Sequence, residues 1–254
     1  MAGILWLASY PKSGNTWLRI FLANLFADSA KAYDINGLGQ YIHGEMSADL
    51  YERVAGKSLA GLNDRELHRL RPEVHRLIAS LKPDTVFVKT HNAIATQDGI
   101  ATVTPEVTAG AIYLIRNPLD VVVSYADHYG LSLDQAVEAI ASPENRVVTS
   151  ANAVFQYLGD WSGHVRSWTE APGLAPHLVR YEDLLADPQA GFSGIVRFLG
   201  LETPRARLRR AIRFASFDEV KRQERRHGFE ERSRNSAAFF RQGRAQQWRK
   251  VLTP

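Results

Sequence analysis

Residues 7–25 read LASYPKSGNTWLRIFLANL: an apolar run, a turn with one lysine and one glycine, then a segment with helical spacing. Residues 4–9, ILWLAS, predict a buried strand. From Thr16 onward Trp17, Ile20, Phe21, Asn24 and Leu25 recur at helical intervals, which predicts a helix with one face inward. Residues 10–15 then turn at a helix entrance, where free backbone N–H groups and the helix dipole favour an anion. Ser13, Asn15 and Thr16 stand in that turn and Gly14 lets the backbone come close. Lys12 adds a mobile positive charge. The order differs from a Walker loop, in which the lysine follows the glycines and precedes a hydroxyl. Here Lys12 comes before Ser13 and Gly14.

Further along, TVFVK (85–89), AIYLIR (111–116) and HLVRY (177–181) are apolar runs without polar alternation, as expected of parallel strands buried on both faces. Helices are predicted from an Asn63 cap to residue 81, kinked or split at Pro72, and over 119–129 behind Pro118. Others are predicted over 132–141, 151–168, 190–199 and 205–215. Strands separated by helices imply right-handed βαβ units and an α/β fold, one domain over 1–254 with a central parallel sheet flanked by helices. Residues 28–62, rich in Gly and Tyr, and 227–254, rich in Arg, Gln, Ser and Phe, fit neither period. In such folds these segments pass over the ligand crevice at the carboxyl ends of the strands.

Two further stretches carry chemistry. In IYLIRNPLDVVVSYADHYG (112–130) Arg116 ends a strand and Ser124 lies on the following helix. A guanidinium and a hydroxyl facing one crevice can bind phosphate through charge-assisted hydrogen bonds; alternatively Arg116 pairs with Asp120. In FVKTHNA (87–93) a strand delivers Lys89 and His91 to its carboxyl end. Imidazole titrates near neutrality and can take a proton from a hydroxyl as the oxygen attacks.

The run YPKSGNTW (10–17) resembles the phosphosulfate-binding loop of the sulfotransferase superfamily, whose donor is 3'-phosphoadenosine 5'-phosphosulfate (PAPS). RNPLDVVVS (116–124) is similar to its 3'-phosphate motif, and KTH (89–91) to the segment whose histidine is the general base of cytosolic-type members. The resemblance implies the P-loop-kinase-like sulfotransferase fold and a 3'-phosphate held by Arg116 and Ser124. It also implies Lys12 and Lys89 at the sulfate bridging oxygen, and Ser124 holding Lys12 until acceptor arrives. Trp17, Phe217 and Tyr181, the last in VRYEDLLADP, match positions that contact adenine. FFRQGRAQQWRKVLT (239–253) is similar to the family's C-terminal clamp, with Arg241 and Gly243 in register and Trp248 and Thr253 matching further on. The chain departs from the pattern at Asn92-Ala93, where Leu-Pro is usual. It departs again at Gln242 for lysine and at Gln246-Gln247 for Gly-Asp. The acceptor implied is a hydroxylated small molecule, with bacterial natural products favoured; Tyr33, Tyr41, His43, Tyr51, His128 and Tyr129 are candidate pocket residues.

Composition bounds the alternatives. The chain has 254 residues, 45% hydrophobic and 23% charged, with no cysteine, which excludes disulfides and thiol chemistry and fits a reducing, cytoplasmic interior. The N-terminus reads as neither signal peptide nor membrane span. No metal is expected, since no metal-ligand motif occurs and lysines can supply the charge that Mg²⁺ supplies in kinases. From Arg205 onward there are 15 Lys and Arg against 5 Asp and Glu, against 16 and 22 before it, so about +10 of charge follows about −6. Such a segment suits a polyanion, here a donor with several negative charges rather than nucleic acid. A P-loop kinase and a nucleic-acid-binding protein are the rival readings; the oligomeric state is open.

Overall fold

A computed structural model describes residues 3–252. Strands β1 (Ile4–Ser9), β2 (Ile42–Gly44), β3 (Val86–Thr90), β6 (Thr108–Ile115) and β9 (His177–Arg180) form a five-stranded sheet in the order β2-β3-β1-β6-β9. Two short antiparallel ribbons, β4 with β5 (Thr96–Gln97, Ile100–Ala101) and β7 with β8 (Arg146–Val147, Gln156–Tyr157), complete the strands. The helices are α1 (Asn15–Ala27), α2 (Ala48–Ala55), α3 (Asp64–Ala79), α4 (Pro118–Tyr129), α5 (Leu133–Ala141), α6 (Trp161–Thr169), α7 (Tyr181–Ala186), α8 (Pro188–Phe198), α9 (Arg205–Phe214) and α10 (Phe217–His227). The architecture is therefore α/β, as the alternation of apolar runs predicts. β1 pairs in parallel with β3, Ala8 opposite Thr90, and β3 in parallel with β2. Every residue of β1 is buried, which is why its sequence shows no polar alternation.

The chain packs as two compact units. The first comprises residues up to Tyr10, Ile42–Tyr113 and Ala139–Leu178; the second comprises Pro11–Tyr41, Leu114–Glu138 and Val179 onward. In the first, Trp6, Tyr51, Tyr113 and Trp168 are fully buried, and Trp6 Nε1 donates to Thr108 Oγ1 at 2.9 Å. In the second, Phe21 of α1 stacks on Phe192 of α8 with ring centroids 3.9 Å apart.

Local chemistry sets several boundaries. Gly14, at φ 101°, turns the chain from β1 into α1. Asn63 and Glu66 form a reciprocal capping box at the start of α3. Asn117 caps α4 by accepting from Leu119 N, with Pro118 in the first turn where no N–H is required.

Several expectations need correction. Pro72 does not split α3, which runs unbroken to Ala79 because Leu67, His68, Arg71, Val74, His75 and Ile78 all bury the same face. The helix predicted over 151–168 starts only at Trp161: residues 156–157 are in β8, and Asp160 caps the helix through Gly163 N at 2.7 Å. The sheet has a fifth strand, the three-residue β2, within the segment that fits neither period. Helices α7 and α10 are additions as well.

Candidate active site

The phosphate loop and its partners lie in the second unit. Ser13 is fully buried and its Oγ has no hydrogen-bond partner among the described residues. Arg116 is 6% exposed and its Nε also lacks a partner among the described residues, while its NH1 donates to the Lys12 carbonyl at 2.9 Å. The same guanidinium lies 4.5 Å from the centroid of the Tyr181 ring. Asp120 does not take the ion pair that the sequence allows; its carboxylate accepts from Gln246 N at 2.7 Å and Trp248 N at 3.2 Å, and so orders the C-terminal segment. Gly14 is required twice, by its positive φ and by space: a Cβ would come within 2.8 Å of Tyr181 Cδ2. Trp17 meets Tyr181 and Phe192 edge to face.

Lys12 has φ 69°, a left-handed conformation that few side-chain-bearing residues adopt. Its Nζ lies 3.4 Å from His128 Nδ1 and 4.1 Å from the Phe239 ring centroid. Ser124, the partner implied for it, makes no hydrogen bond to it among the described residues; the imidazole one turn further along α4 takes that place. Burial lowers the Lys12 pKa to about 8, with Arg241 and Arg116 lowering it and Asp127 and Glu231 opposing. Arg241 sits against α4, its NH1 2.8 Å from Asp127 Oδ1 and its NH2 3.4 Å from the Val123 carbonyl. Gly243 packs on Phe217, where a Cβ would come within 2.3 Å of the ring. Thr253, the last family match, lies outside the described residues.

The first unit carries the histidine. Parallel pairing of β1 with β3 brings His91 beside Ser9. His91 Nδ1 lies 2.7 Å from the Ser9 carbonyl oxygen. A carbonyl only accepts, so Nδ1 carries a proton; in the neutral ring the lone pair is then on Nε2. The tautomer is the one a base needs. The His91 carbonyl accepts from His164 Nε2 at 3.0 Å, and Tyr113 OH donates to His164 Nδ1 at 2.8 Å. Burial lowers the His164 pKa to about 4 and keeps it neutral. Lys89 precedes this segment on β3, opposite Leu7 and Gly44.

Some functional candidates escape a sequence reading. Glu231 accepts from Arg19 NH1 and NH2 at 2.7 and 2.6 Å and from Thr16 Oγ1 at 3.3 Å, placing a carboxylate on the first turn of α1. Phe239 and Asp127 beside Lys12 are also tertiary in origin. Of the candidate pocket residues, Tyr51 is fully buried in the core of the first unit and is no pocket wall. His128 stands at Lys12, edge to face with Tyr129.

The Sulfotransferase domain model matches residues 4–254. The chain belongs to the sulfotransferase domain family. Among curated sulfotransferases, Sulfotransferase 1A1 of Bos taurus is 25% identical over 86% of this chain and 66% of its own length. Sulfotransferase 1B1 of Canis lupus familiaris is 26% identical over 85% and 65%. The chain thus spans just under two thirds of these relatives. The mouse sulfotransferase SULT7A1 in complex with PAP matches with a TM-score of 0.61 and 21% identity, over 100% of this chain and 79% of that one. A retinol dehydratase with androsterone and PAP matches equally, at 19% identity over 98% and 76%. At these identities the likeness to sulfotransferase structures is one of fold. Among the described residues no helix is long and apolar enough to cross a membrane.

Proposed function

We propose that this chain, as one catalytic domain over 1–254, moves the sulfuryl group of PAPS to a hydroxyl of a small-molecule acceptor by in-line transfer. The observation that carries this reading is the pair of buried polar atoms at this turn without a partner among the described residues, Ser13 Oγ and Arg116 Nε. Buried polar atoms are normally hydrogen-bonded. A hydroxyl and a guanidinium Nε left without partners among the described residues, next to a desolvated lysine, suit an anion with several acceptor oxygens. Family membership and PAP in the structures of similar fold support the same ligand.

PAPS supplies the transferable sulfuryl group. The loop amides, Ser13, Asn15 and Thr16 bind its 5'-phosphate; Arg116, Ser124, Arg241 and Gly243 form the 3'-phosphate site; and Trp17, Tyr181 and Phe217 hold adenine. His91 Nε2 takes the acceptor proton while Nδ1–H stays on the Ser9 carbonyl, so the ring keeps its orientation as it becomes charged. Lys12 and Lys89 neutralise charge on the leaving oxygen, and no metal is invoked. Such transfers depend on positioning and charge neutralisation more than on covalent chemistry. The acceptor is a small hydroxylated molecule, with aromatic rings favoured by His128 and Phe239 beside Lys12 and by Tyr129 against His128. The proposed place of action is the cytoplasm, and the proposed ligands do not include nucleic acid.

The test is a PAPS-dependent sulfation assay over phenols, sterols, sugars and glycopeptides, with titration of PAP against ATP-Mg²⁺. His91→Ala should lower kcat by about 10²- to 10⁴-fold. Preference for ATP-Mg²⁺ would overturn the reading in favour of a kinase. Salt-sensitive binding of long DNA that survives Lys12→Ala and Arg116→Ala would overturn it in favour of a nucleic-acid-binding protein.

A further inference from the structure

The segment after β3 replaces the family's Leu-Pro with Asn92-Ala93, losing the rigidity a proline brings, yet it is tied down at every residue. Asn92 Oδ1 accepts from Tyr157 N at 2.8 Å, and the Asn92 carbonyl accepts from Trp168 Nε1 at 2.9 Å. Asn92 N donates to Thr90 Oγ1 at 3.0 Å, and Ala93 N to the Tyr157 carbonyl at 2.8 Å. The remaining donors on both sides of His91 converge on one atom. Glu45 Oε1 accepts from Thr90 Oγ1 at 3.1 Å and Asn92 Nδ2 at 2.5 Å, and from Gln156 Nε2 at 2.6 Å.

Glu45, Thr90, Asn92 and Gln156 are at most 1% exposed. Glu45 follows the short edge strand β2 and is the one carboxylate among them. A buried carboxylate is costly unless it is charge-compensated. Here Arg71 is fully buried and His75 Nε2 lies 3.5 Å from Glu45 Oε2. Burial pushes the Glu45 pKa up, but Arg71, His75 and Gln156 outweigh it and bring it down to about 2. The acid is charged throughout the working range, so Oε1 is a permanent acceptor.

We infer that Glu45 is a positioning residue for the base: one buried carboxylate oxygen holds the side chains of Thr90 and Asn92 and thereby fixes the main chain that carries His91. It also explains β2, whose three residues place Glu45 beside β3 with Gly44 opposite Lys89. The inference rests on His91 being the base and goes beyond that reading in naming what aims it.

An acceptor already ionised at the assay pH needs no base, whereas a neutral alcohol does, so the pair separates aim from folding. The substitutions are Thr90→Val, Asn92→Ala and Glu45→Gln, with Thr90→Ser as the conservative rescue. Thr90→Val and Asn92→Ala should lower kcat on the neutral alcohol about 10- to 100-fold and on a low-pKa phenolate less than threefold. PAP affinity should stay within about twofold, and Thr90→Ser should restore most of the loss. Equal losses on both acceptors, or a loss that tracks PAP affinity, would overturn the inference and leave Glu45 a purely structural acid. Should Glu45→Gln fail to fold, the Thr90 pair still decides. His91→Ala run alongside isolates the underlying reading: full activity on the alcohol in that variant would remove the base itself, and the inference with it.

Discussion

The turn at residues 10–16 and the segment at residues 91–93 both follow a parallel strand, but they are finished in opposite ways. Around His91 the main chain and its neighbours are hydrogen-bonded at distances of 2.5–3.1 Å. Around Lys12, Ser13 Oγ and Arg116 Nε are buried without partners among the described residues, and burial lowers the lysine pKa to about 8. On the proposed reading, one region aims a base and the other receives charge. A base must have its tautomer and direction set before substrate arrives. An anion site instead keeps its donors uncommitted, at some cost in stability.

The largest effect that separates the two is expected from Lys12→Ala, which should lower sulfuryl transfer about 10²- to 10³-fold while leaving thermal stability unchanged or raised, since a desolvated charge is removed. A large fall in Tm in this variant would break the contrast. In the unmodified protein, Lys12 is protonated below pH about 8, so PAP affinity measured by calorimetry should weaken as the pH rises through that value. Lys12→Arg should move this limb to higher pH, because a guanidinium does not titrate there.

His164→Gln tests the other region. The unfolded chain protonates this histidine near its ordinary value of 6.5, whereas the folded chain resists to about 4. Its contribution is therefore fully present above pH 6.5 and is lost as the pH falls toward 4, roughly 3 kcal/mol over the window. Urea unfolding at pH 7 and pH 4.5 should show a clearly smaller difference in the variant than in the parent chain.

Arg116→Ala should weaken PAP binding about 10- to 100-fold through lost charge-assisted hydrogen bonds. A thermal shift with saturating PAP should shrink correspondingly. The smallest effect is expected from Gln246→Gly. Gln246 has φ 60°, where the family carries glycine, and relieving that left-handed strain should stabilise by up to about 1 kcal/mol. Its backbone N–H to Asp120 is retained, so PAP affinity should stay constant.

Much of this is legible in the chain. Unbroken apolar runs expose β1, β3 and β6; β1 is buried on both faces and needs no polar alternation, whereas β3 alternates buried with half-buried residues. The lysine, glycine and hydroxyls of the turn are legible because an anion site at a helix entrance is a local device. Three-residue β2 is not, since a strand that short is defined by its partner. That Pro72 does not split α3 is not legible either, because helix-breaking chemistry is weighed without the buried face that keeps the helix continuous.

By itself, then, the sequence determined the α/β alternation, the loop YPKSGNTW, the Arg116 and Ser124 motif and the histidine after β3, all properties of residue type and near-neighbour spacing. Tertiary structure alone decided that Asp120 serves the C-terminal segment and not Arg116, and that His128 and Phe239 attend Lys12. It also decided that Glu45, 45 and 47 residues away from Thr90 and Asn92 in the chain, holds both flanks of His91. These contacts join residues far apart in sequence, and their geometry depends on which strand lies beside which; no local pattern encodes that choice.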